Sequence, residues 1–196
     1  MDRKELKEIL SADKYVYEKY INNAFRSKIL LKITDDHIIK IQKYLRNFRY
    51  CQYYKMQVER GNKLAIVGYI WHCKKQNRLG NKLGFYISPS ARIGKGFMIY
   101  HHGNVIINGN AVIGEFCRLH GNNCIGNSGK SSGAPKIGDK CDVGFGASII
   151  GDVSIASDVS IGAGAVVTKS CRNKGAVLIG IPAEIKRSNS YGKSNY

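Results

Sequence analysis

A six-residue period of apolar positions runs through the C-terminal half of the chain. Its members are aliphatic or small and fall into two blocks: Ile87, Ile93, Ile99, Val105, Ala111 and Cys117, then Ile137, Val143, Ile149, Ile155, Ile161 and Val167. This period matches neither the 3.6 residues of a helical turn nor the two of a flat strand. A fixed short repeat predicts a parallel β-helix in which three hexads make one triangular coil.

The two blocks predict a β-helix over residues 85–172, with about two coils in each block. Paired strands are about 4.8 Å apart, so four coils would make a prism about 20 Å tall. In this phase, residues eighteen apart should stack on successive coils. His102 would then lie over His120, and Tyr86 would share a column with Asn104 and Asn122.

Residues 127–136, NSGKSSGAPK, interrupt the repeat. Asn123 and Ile137 are fourteen residues apart, two more than two hexads, so we expect a small loop to leave the solenoid there. Loops that project from a rigid scaffold commonly border a functional site.

Residues 1–84 have helical rather than hexad spacing. Leu6, Ile9 and Leu10 share one helix face, and Thr34 is a candidate helix start ahead of a second apolar face. The pattern does not fix the number of helices. A solenoid exposes strand edges at both ends, so we expect these helices to cover the first end and the tail, residues 173–196, to cover the second.

Charge and composition narrow the partners. Lys and Arg number 31 against 14 Asp and Glu, a net charge of +17, which favours an anionic membrane surface, a phosphorylated cofactor, an acidic polysaccharide or nucleic acid. Residues 44–58 interleave aromatic and basic side chains, yet no nucleic-acid-binding motif accompanies them, so nucleic acid is not the expected partner. A polar N-terminus and a longest apolar run of only residues 64–71 predict a cytoplasmic protein.

The six cysteines include no CxxC pair and no zinc-finger spacing. Cys117 and Cys141 stand at repeat positions that elsewhere hold small or aliphatic residues, so we expect reduced, buried thiols. His102 and His120 could form a polar ladder or bind a metal ion, and we expect no metal.

Three segments carry a resemblance to a known family: ISPSARIGKGFMIYHHGNVIINGNAVIGE at 87–115, IGNSGKSSGAPKIGDKCDVGFGASIIGDVSIASDVSIGAGAVVTKS at 125–170, and GIPAEI at 180–185. They resemble the hexapeptide-repeat acyltransferases, in particular serine acetyltransferases and the O-acetyltransferases of bacterial polysaccharide gene clusters. The resemblance implies a mainly β fold, a left-handed parallel β-helix with an N-terminal α-helical region. It also implies acetyl-CoA as acyl donor and a homotrimer with active sites between neighbouring prisms.

The resemblance assigns the general base to His101, which stands where the family has a histidine after GxM[IL]x. An alcohol is a poor nucleophile at neutral pH, so an imidazole must take its proton as it attacks the thioester. Neighbouring residues that would bind the acceptor or orient the imidazole are Tyr86, His102, Asn104, His120 and Glu115. Candidates for the pantetheine arm and phosphates of coenzyme A are Gly126, Gly144, Ala147, Ala163, Lys136, Lys169 and Arg187.

Departures from the serine acetyltransferase pattern bear on the acceptor. The family has aspartates where this chain has Tyr86 and Tyr100, and an Arg-His pair where it has Gly133 and Ala134. A carboxylate normally calls for a positioned cation. We therefore expect a sugar hydroxyl of an envelope or capsular polysaccharide as acceptor, with serine O-acetylation and a non-catalytic assembly role as the alternatives.

Overall fold

The structure is a computed structural model that describes residues 1–23 and 28–188. Its N-terminal part is helical, with α1 Arg3–Asn23, α2 Lys28–Ile33, α3 His37–Glu59 and α4 Ala65–Leu83. Helices α3 and α4 lie side by side, and Gly84 ends α4 in a left-handed conformation with φ of 76°. The chain enters the solenoid directly from this turn.

Short parallel strands form the three faces of a left-handed β-helix of about five turns. The first face contains β1 Phe85–Ile87, β4 Val105–Ile107, β7 Cys124–Gly126, β10 Ser148–Ile150 and β13 Val166–Val167. The second contains β2 Arg92–Ile93, β5 Val112–Ile113, β8 Lys136–Ile137 and β11 Ser154–Ile155. The third contains β3 Met98–Ile99, β6 Arg118–Leu119, β9 Asp142–Val143, β12 Ser160–Ile161, β14 Ala176–Ile179 and β15 Glu184–Ser188.

The coils differ in length, which corrects the predicted phase. Ile107 pairs with Ile87, twenty residues earlier, whereas Ile125 pairs with Ile107, eighteen residues earlier. Two extra residues therefore enter the first coil after Ile99. Each hexad has two buried positions, two residues apart. Ile107 occupies the position equivalent to Ile87, and Val105 occupies the one equivalent to Phe85. Both positions are apolar, so apolarity alone did not reveal the slip.

The slip makes the predicted stacking wrong for Tyr86 with Asn104 and for His102 with His120. Asn104 and Asn122 keep the predicted spacing, because Ile106 pairs with Cys124, eighteen residues later. Tyr86 pairs with Ile106, not with Asn104. The Tyr100 N–H donates to the Leu119 carbonyl at 2.9 Å, which sets Tyr100, and not His102, beside His120. The neighbours of His101 and His120 therefore differ from those that the phase predicted.

The loop that interrupts the repeat at residues 127–136 is also longer than the six-residue spacing predicted. Ile137 pairs with Ile113, twenty-four residues earlier, so six residues beyond a regular coil leave the solenoid between β7 and β8, where two were expected. The third face continues beyond Arg172, because β14 pairs with β12 and β15 then pairs antiparallel with β14.

Side chains from the helices satisfy the open edge of the first coil, as expected. The buried Tyr17 hydroxyl donates to the Ile99 carbonyl at 2.8 Å and accepts from the Ile99 N–H at 3.0 Å. Gln76 Nε2 donates to the Ile87 carbonyl at 2.8 Å. These contacts take the place of a preceding strand, because buried backbone groups need partners.

A buried ion pair completes this cap. Arg49 is 1% exposed, and its guanidinium donates to the Ile93 carbonyl at 2.7 Å, the Gly94 carbonyl at 2.7 Å and Asp13 Oδ2 at 2.8 Å. Asp13 Oδ1 accepts from the Phe97 N–H at 3.1 Å. Helices α1 and α3 are thereby joined to the solenoid through one polar network inside a continuous apolar core.

The structure also bears on membranes and cysteines. Across residues 1–23 and 28–188, no helix combines the length and apolarity needed to cross a bilayer. All six cysteines are free thiols, and Cys117 and Cys141 lie buried in the solenoid.

Candidate functional site

His101 lies at the corner that leads from the third face of the solenoid to the first. We call residues 100–104, 120–123 and 144–147 the histidine corner, because they are the turns of the first three coils there. The two residues by which the first coil exceeds eighteen fall in this turn. His101 and His102 are both exposed as a result.

Helix α3 brings a third histidine to this corner. The His37 ring stacks on the His101 ring, with centroids 5.6 Å apart and planes at 27°, and its centroid lies 5.4 Å from that of His102. His37 Nδ1 lies 3.4 Å from Asp36 Oδ1. His37 Nε2 is buried without a hydrogen-bond partner in the described residues. His37 and the two histidines of the first-coil turn therefore bring three imidazoles together from two distant segments.

The start of α3 fixes His37. Asp36 is the N-cap, and its Oδ1 accepts from the Ile38 N–H at 2.8 Å, so the N-cap lies two residues after the predicted Thr34. Sequence reasoning missed His37 because its contact with His101 spans sixty-four residues. The only local signal was a histidine directly after two acidic cap residues.

The second coil leaves room for His101 by placing a glycine beside it. Gly121 has φ of 116°. A Cβ at this position would lie 3.0 Å from the His101 carbonyl oxygen, 3.2 Å from His101 Cβ and 3.4 Å from the ring of Phe145. Phe145, on the third coil, is 50% exposed. His101 and this aromatic ring therefore flank Gly121 from the two neighbouring coils.

Asn123 holds the corner from inside and was also missed by sequence reasoning. It is 1% exposed, and its Oδ1 accepts from the Gly121 N–H at 2.9 Å. Its Nδ2 donates to the Gly144 carbonyl at 2.8 Å and the Ala147 carbonyl at 3.1 Å. The second and third coils are thus connected by one amide side chain.

His120 belongs to a polar cluster on the third face. Its ring centroid lies 4.8 Å from that of Tyr100, and its Nε2 lies 2.9 Å from Asp142 Oδ1. Arg118 Nη2 lies 3.3 Å from Asp142 Oδ2. Burial is the main cause that raises the Tyr100 pKa. His120 thus lies at the start of the second turn of the histidine corner and has a carboxylate partner of its own.

The other predicted acceptor residues are spread out. Asn104 is exposed at the histidine corner, and Tyr86 is 69% exposed on β1. Glu115 lies at the corner between the second and third faces, 3.7 Å from Lys95 Nζ. The prediction that Glu115 orients His101 is therefore wrong within one chain, because Glu115 lies at a different corner of the prism.

The predicted coenzyme residues divide between two corners of one chain. Gly144 and Ala163 belong to the turns from the third face to the first, whereas Gly126, Lys136 and Lys169 flank the turns from the first face to the second, which we call the loop corner. Of these five, Lys136, Ala163 and Lys169 are exposed.

Ala147 and Arg187, the other predicted coenzyme residues, lie in the core and in the last strand. Ala147 is fully buried, and its N–H and carbonyl are both hydrogen-bonded within the solenoid. The prediction that it binds coenzyme A is therefore wrong, because Ala147 is a core residue. Arg187 lies in β15 opposite Val177, and its side chain is outside the described part of the chain. The described His, Cys, Asp and Glu residues include no group of three placed to hold a metal ion.

Comparisons with known proteins point to one group. No family model matches the chain. A serine acetyltransferase from Synechococcus elongatus is 36% identical over 104 residues, which cover 52% of this chain and 42% of that protein. One from Staphylococcus aureus strain Mu50 is 35% identical over 108 residues, 54% of this chain and 50% of that protein. The chain thus matches these curated relatives over half of their length or less.

Solved structures extend the similarity to the helices. Serine acetyltransferase from Neisseria gonorrhoeae matches with a TM-score of 0.69 and 27% identity, over 96% of this chain and 67% of that one. The soybean enzyme complexed with serine matches with a TM-score of 0.72 and 25% identity, over 92% and 69%. The Brucella abortus enzyme in complex with coenzyme A shares the fold, with a TM-score of 0.73, 23% identity and coverage of 95% and 69%. The chain has the left-handed β-helix of these proteins and resembles the serine acetyltransferases.

Proposed function

We propose that this chain is an acetyl-CoA-dependent O-acetyltransferase in which His101 is the general base. The observation that carries the proposal is the similarity to serine acetyltransferases across both the helices and the solenoid. The position of His101 supports it, because this residue is exposed at a corner of the solenoid.

The chemistry needs few groups. His101 takes the proton of the acceptor hydroxyl while the oxygen attacks the carbonyl carbon of the acetyl thioester. The carbon–sulfur bond of the tetrahedral intermediate then breaks, and the imidazolium returns its proton to the departing thiolate of coenzyme A. The products are an acetate ester and free coenzyme A, and no acyl-enzyme is formed. Stacking of His37 on His101 would hold the imidazole in place.

Serine is the first acceptor we propose, because the relatives are named for it and the soybean protein was solved with serine. A neutral sugar hydroxyl, as in a polysaccharide or its precursor, is the second. One observation favours it: a Cβ at Gly133 would lie 2.5 Å from Asp152 Cβ, and Ala134 is buried. The loop corner therefore presents a carboxylate where an amino-acid carboxylate would require a cation.

A homotrimer would complete the site. His101 and the cations Lys136 and Lys169 lie at different corners of one prism, so a neighbouring copy is needed to set a loop corner against a histidine corner. We propose that the phosphates of coenzyme A bind these cations and that the pantetheine arm follows the turns at Gly126, Gly144 and Ala163. A cytoplasmic location fits an acetyl-CoA donor and reduced thiols.

Release of free coenzyme A thiol tests the proposal. We expect release with serine or with a sugar from a panel of serine, nucleotide sugars and acidic oligosaccharides, and His101→Ala should lower kcat by about 10²-fold or more. His72→Gln, which alters a histidine on α4, is the matched control and should retain activity. Unchanged kcat in His101→Ala would refute the general base. Silence with every acceptor, together with no coenzyme A binding, would instead support the assembly role.

A further inference from the structure

Helix α4 carries an apolar surface that nothing in the described chain covers. Leu64 is 88% exposed, Val67 71%, Ile70 60% and Trp71 57%. The spacing of three and four residues sets these side chains on one side of the helix. We call these four residues the α4 apolar face. A contiguous patch of exposed large apolar side chains commonly marks a surface that binds a protein, a membrane or a ligand.

Cations continue the same side of the helix toward its C-terminus. Lys74, Lys75, Arg78 and Lys82 are all exposed, and Lys75 Nζ lies 5.1 Å from the centroid of the Trp71 ring. This contact places an ammonium group and an indole on one surface. The sequence contains no Asp or Glu between Glu59 and Glu115, so no acid of this segment offsets the cations.

We propose that α4 docks on an anionic membrane surface. The α4 apolar face would enter the boundary between headgroups and acyl chains, where tryptophan is favoured, and the lysines would meet lipid phosphates. A second copy of this chain is disfavoured as the partner, because two α4 helices in contact would place their lysines and arginines against each other and repel. The apolar side chains decide against nucleic acid, whose backbone offers them no partner. This inference does not rest on the proposed acetyl transfer.

Trp71 provides the experiment, because it is the only tryptophan of the chain. Full-length protein is mixed with vesicles made of phosphatidylglycerol and phosphatidylcholine in equal parts, or of phosphatidylcholine alone. We expect a blue shift of the emission and quenching by brominated acyl chains with the anionic vesicles only. The shift should weaken as salt is added, because salt screens the attraction between the lysines and the lipid phosphates.

Paired variants localise the contact. Lys74→Ala with Lys75→Ala should weaken vesicle partitioning about 5-fold per cation, and Leu64→Ser with Val67→Ser should abolish the blue shift. The control is Ile29→Ser with Ile33→Ser on α2, where the side chains are 71% and 75% exposed, and it should bind as the parent does. No response to anionic vesicles would overturn the proposal. So would emission already shielded from acrylamide before lipid is added, since another copy would then cover the face.

Discussion

Replacement of Gly121 by Ala tests whether the second coil sets the position of His101. The new methyl group would lie 3.0 Å from the His101 carbonyl oxygen and 3.2 Å from its Cβ, so the His101 turn must move by a few tenths of an ångström. A non-glycine residue in this φ region costs about 1–3 kcal/mol. For a chain of this size, that corresponds to a fall in Tm of about 2–12 °C.

The loss of activity should exceed what the loss of stability explains. A displacement of 1 Å at a reacting group costs about 10²-fold, so a smaller movement of the imidazole should lower kcat about 10-fold. Measurement at a temperature well below both melting points keeps the protein folded. Initial rates of thiol release over a range of acceptor concentrations then separate kcat from KM.

Gly61→Ala is the matched control for this variant. Gly61 has φ of 91° at the end of α3, and a Cβ there would meet nothing within 4 Å, so it incurs the backbone cost without a collision. We expect a similar fall in Tm and an unchanged kcat. Equal kcat losses in the two variants, or full activity in Gly121→Ala, would show that Gly121 does not position His101.

Three further changes test the cap, the histidine corner and the histidine of helix α4. Arg49→Met leaves Asp13 buried without its cation and should destabilise the protein by about 3–5 kcal/mol; calorimetry checks this, and an unchanged Tm would refute the proposed cap network. Asn123→Leu removes the amide that joins two coils and should cost about 1–3 kcal/mol for each buried group left unpaired, measured by urea unfolding; a wild-type midpoint would contradict it. Burial first, and Lys75 second, lower the pKa of His72 from 6.5, so the unfolded chain takes up the proton more readily. The free energy of unfolding should therefore fall as pH drops below 6.5 toward the lower pKa of the native state. Measured by denaturant unfolding from pH 5 to 8, this free energy should depend less on pH in His72→Gln than in the parent. An equal pH dependence in the two proteins would count against a lowered His72 pKa.

The repeat predicted the solenoid because burial at fixed spacing is a local property of the sequence. It did not fix the phase, because Val105 and Ile107 are both buried and both apolar. Ala147 was misassigned for the same reason, since a small residue in a repeat suits either a core or an exposed turn. Asn123 had a readable signal: it is a polar residue two positions before Ile125, where the other coils hold the buried apolar residues Phe85, Val105, Ala147 and Ala165.

His37 could not have been found this way. Its place beside His101 depends on how α3 packs on the first coil, and that packing is set by Arg49 and Tyr44, whose polar atoms contact solenoid backbone. No spacing rule connects a helix start to a turn sixty-four residues later. A contact that depends on tertiary packing therefore requires the structure.

The side-chain cap on the first coil has a consequence for the growth of the solenoid. Its coils are interchangeable in hydrogen bonding, so an uncapped first coil would accept strands from another molecule as readily as from its own chain. Tyr17, Gln76 and Arg49 occupy those bonding positions with groups that offer no strand in return. The helices therefore act as a terminator: they limit the molecule to one finite stack of coils and prevent end-to-end polymerisation through this edge.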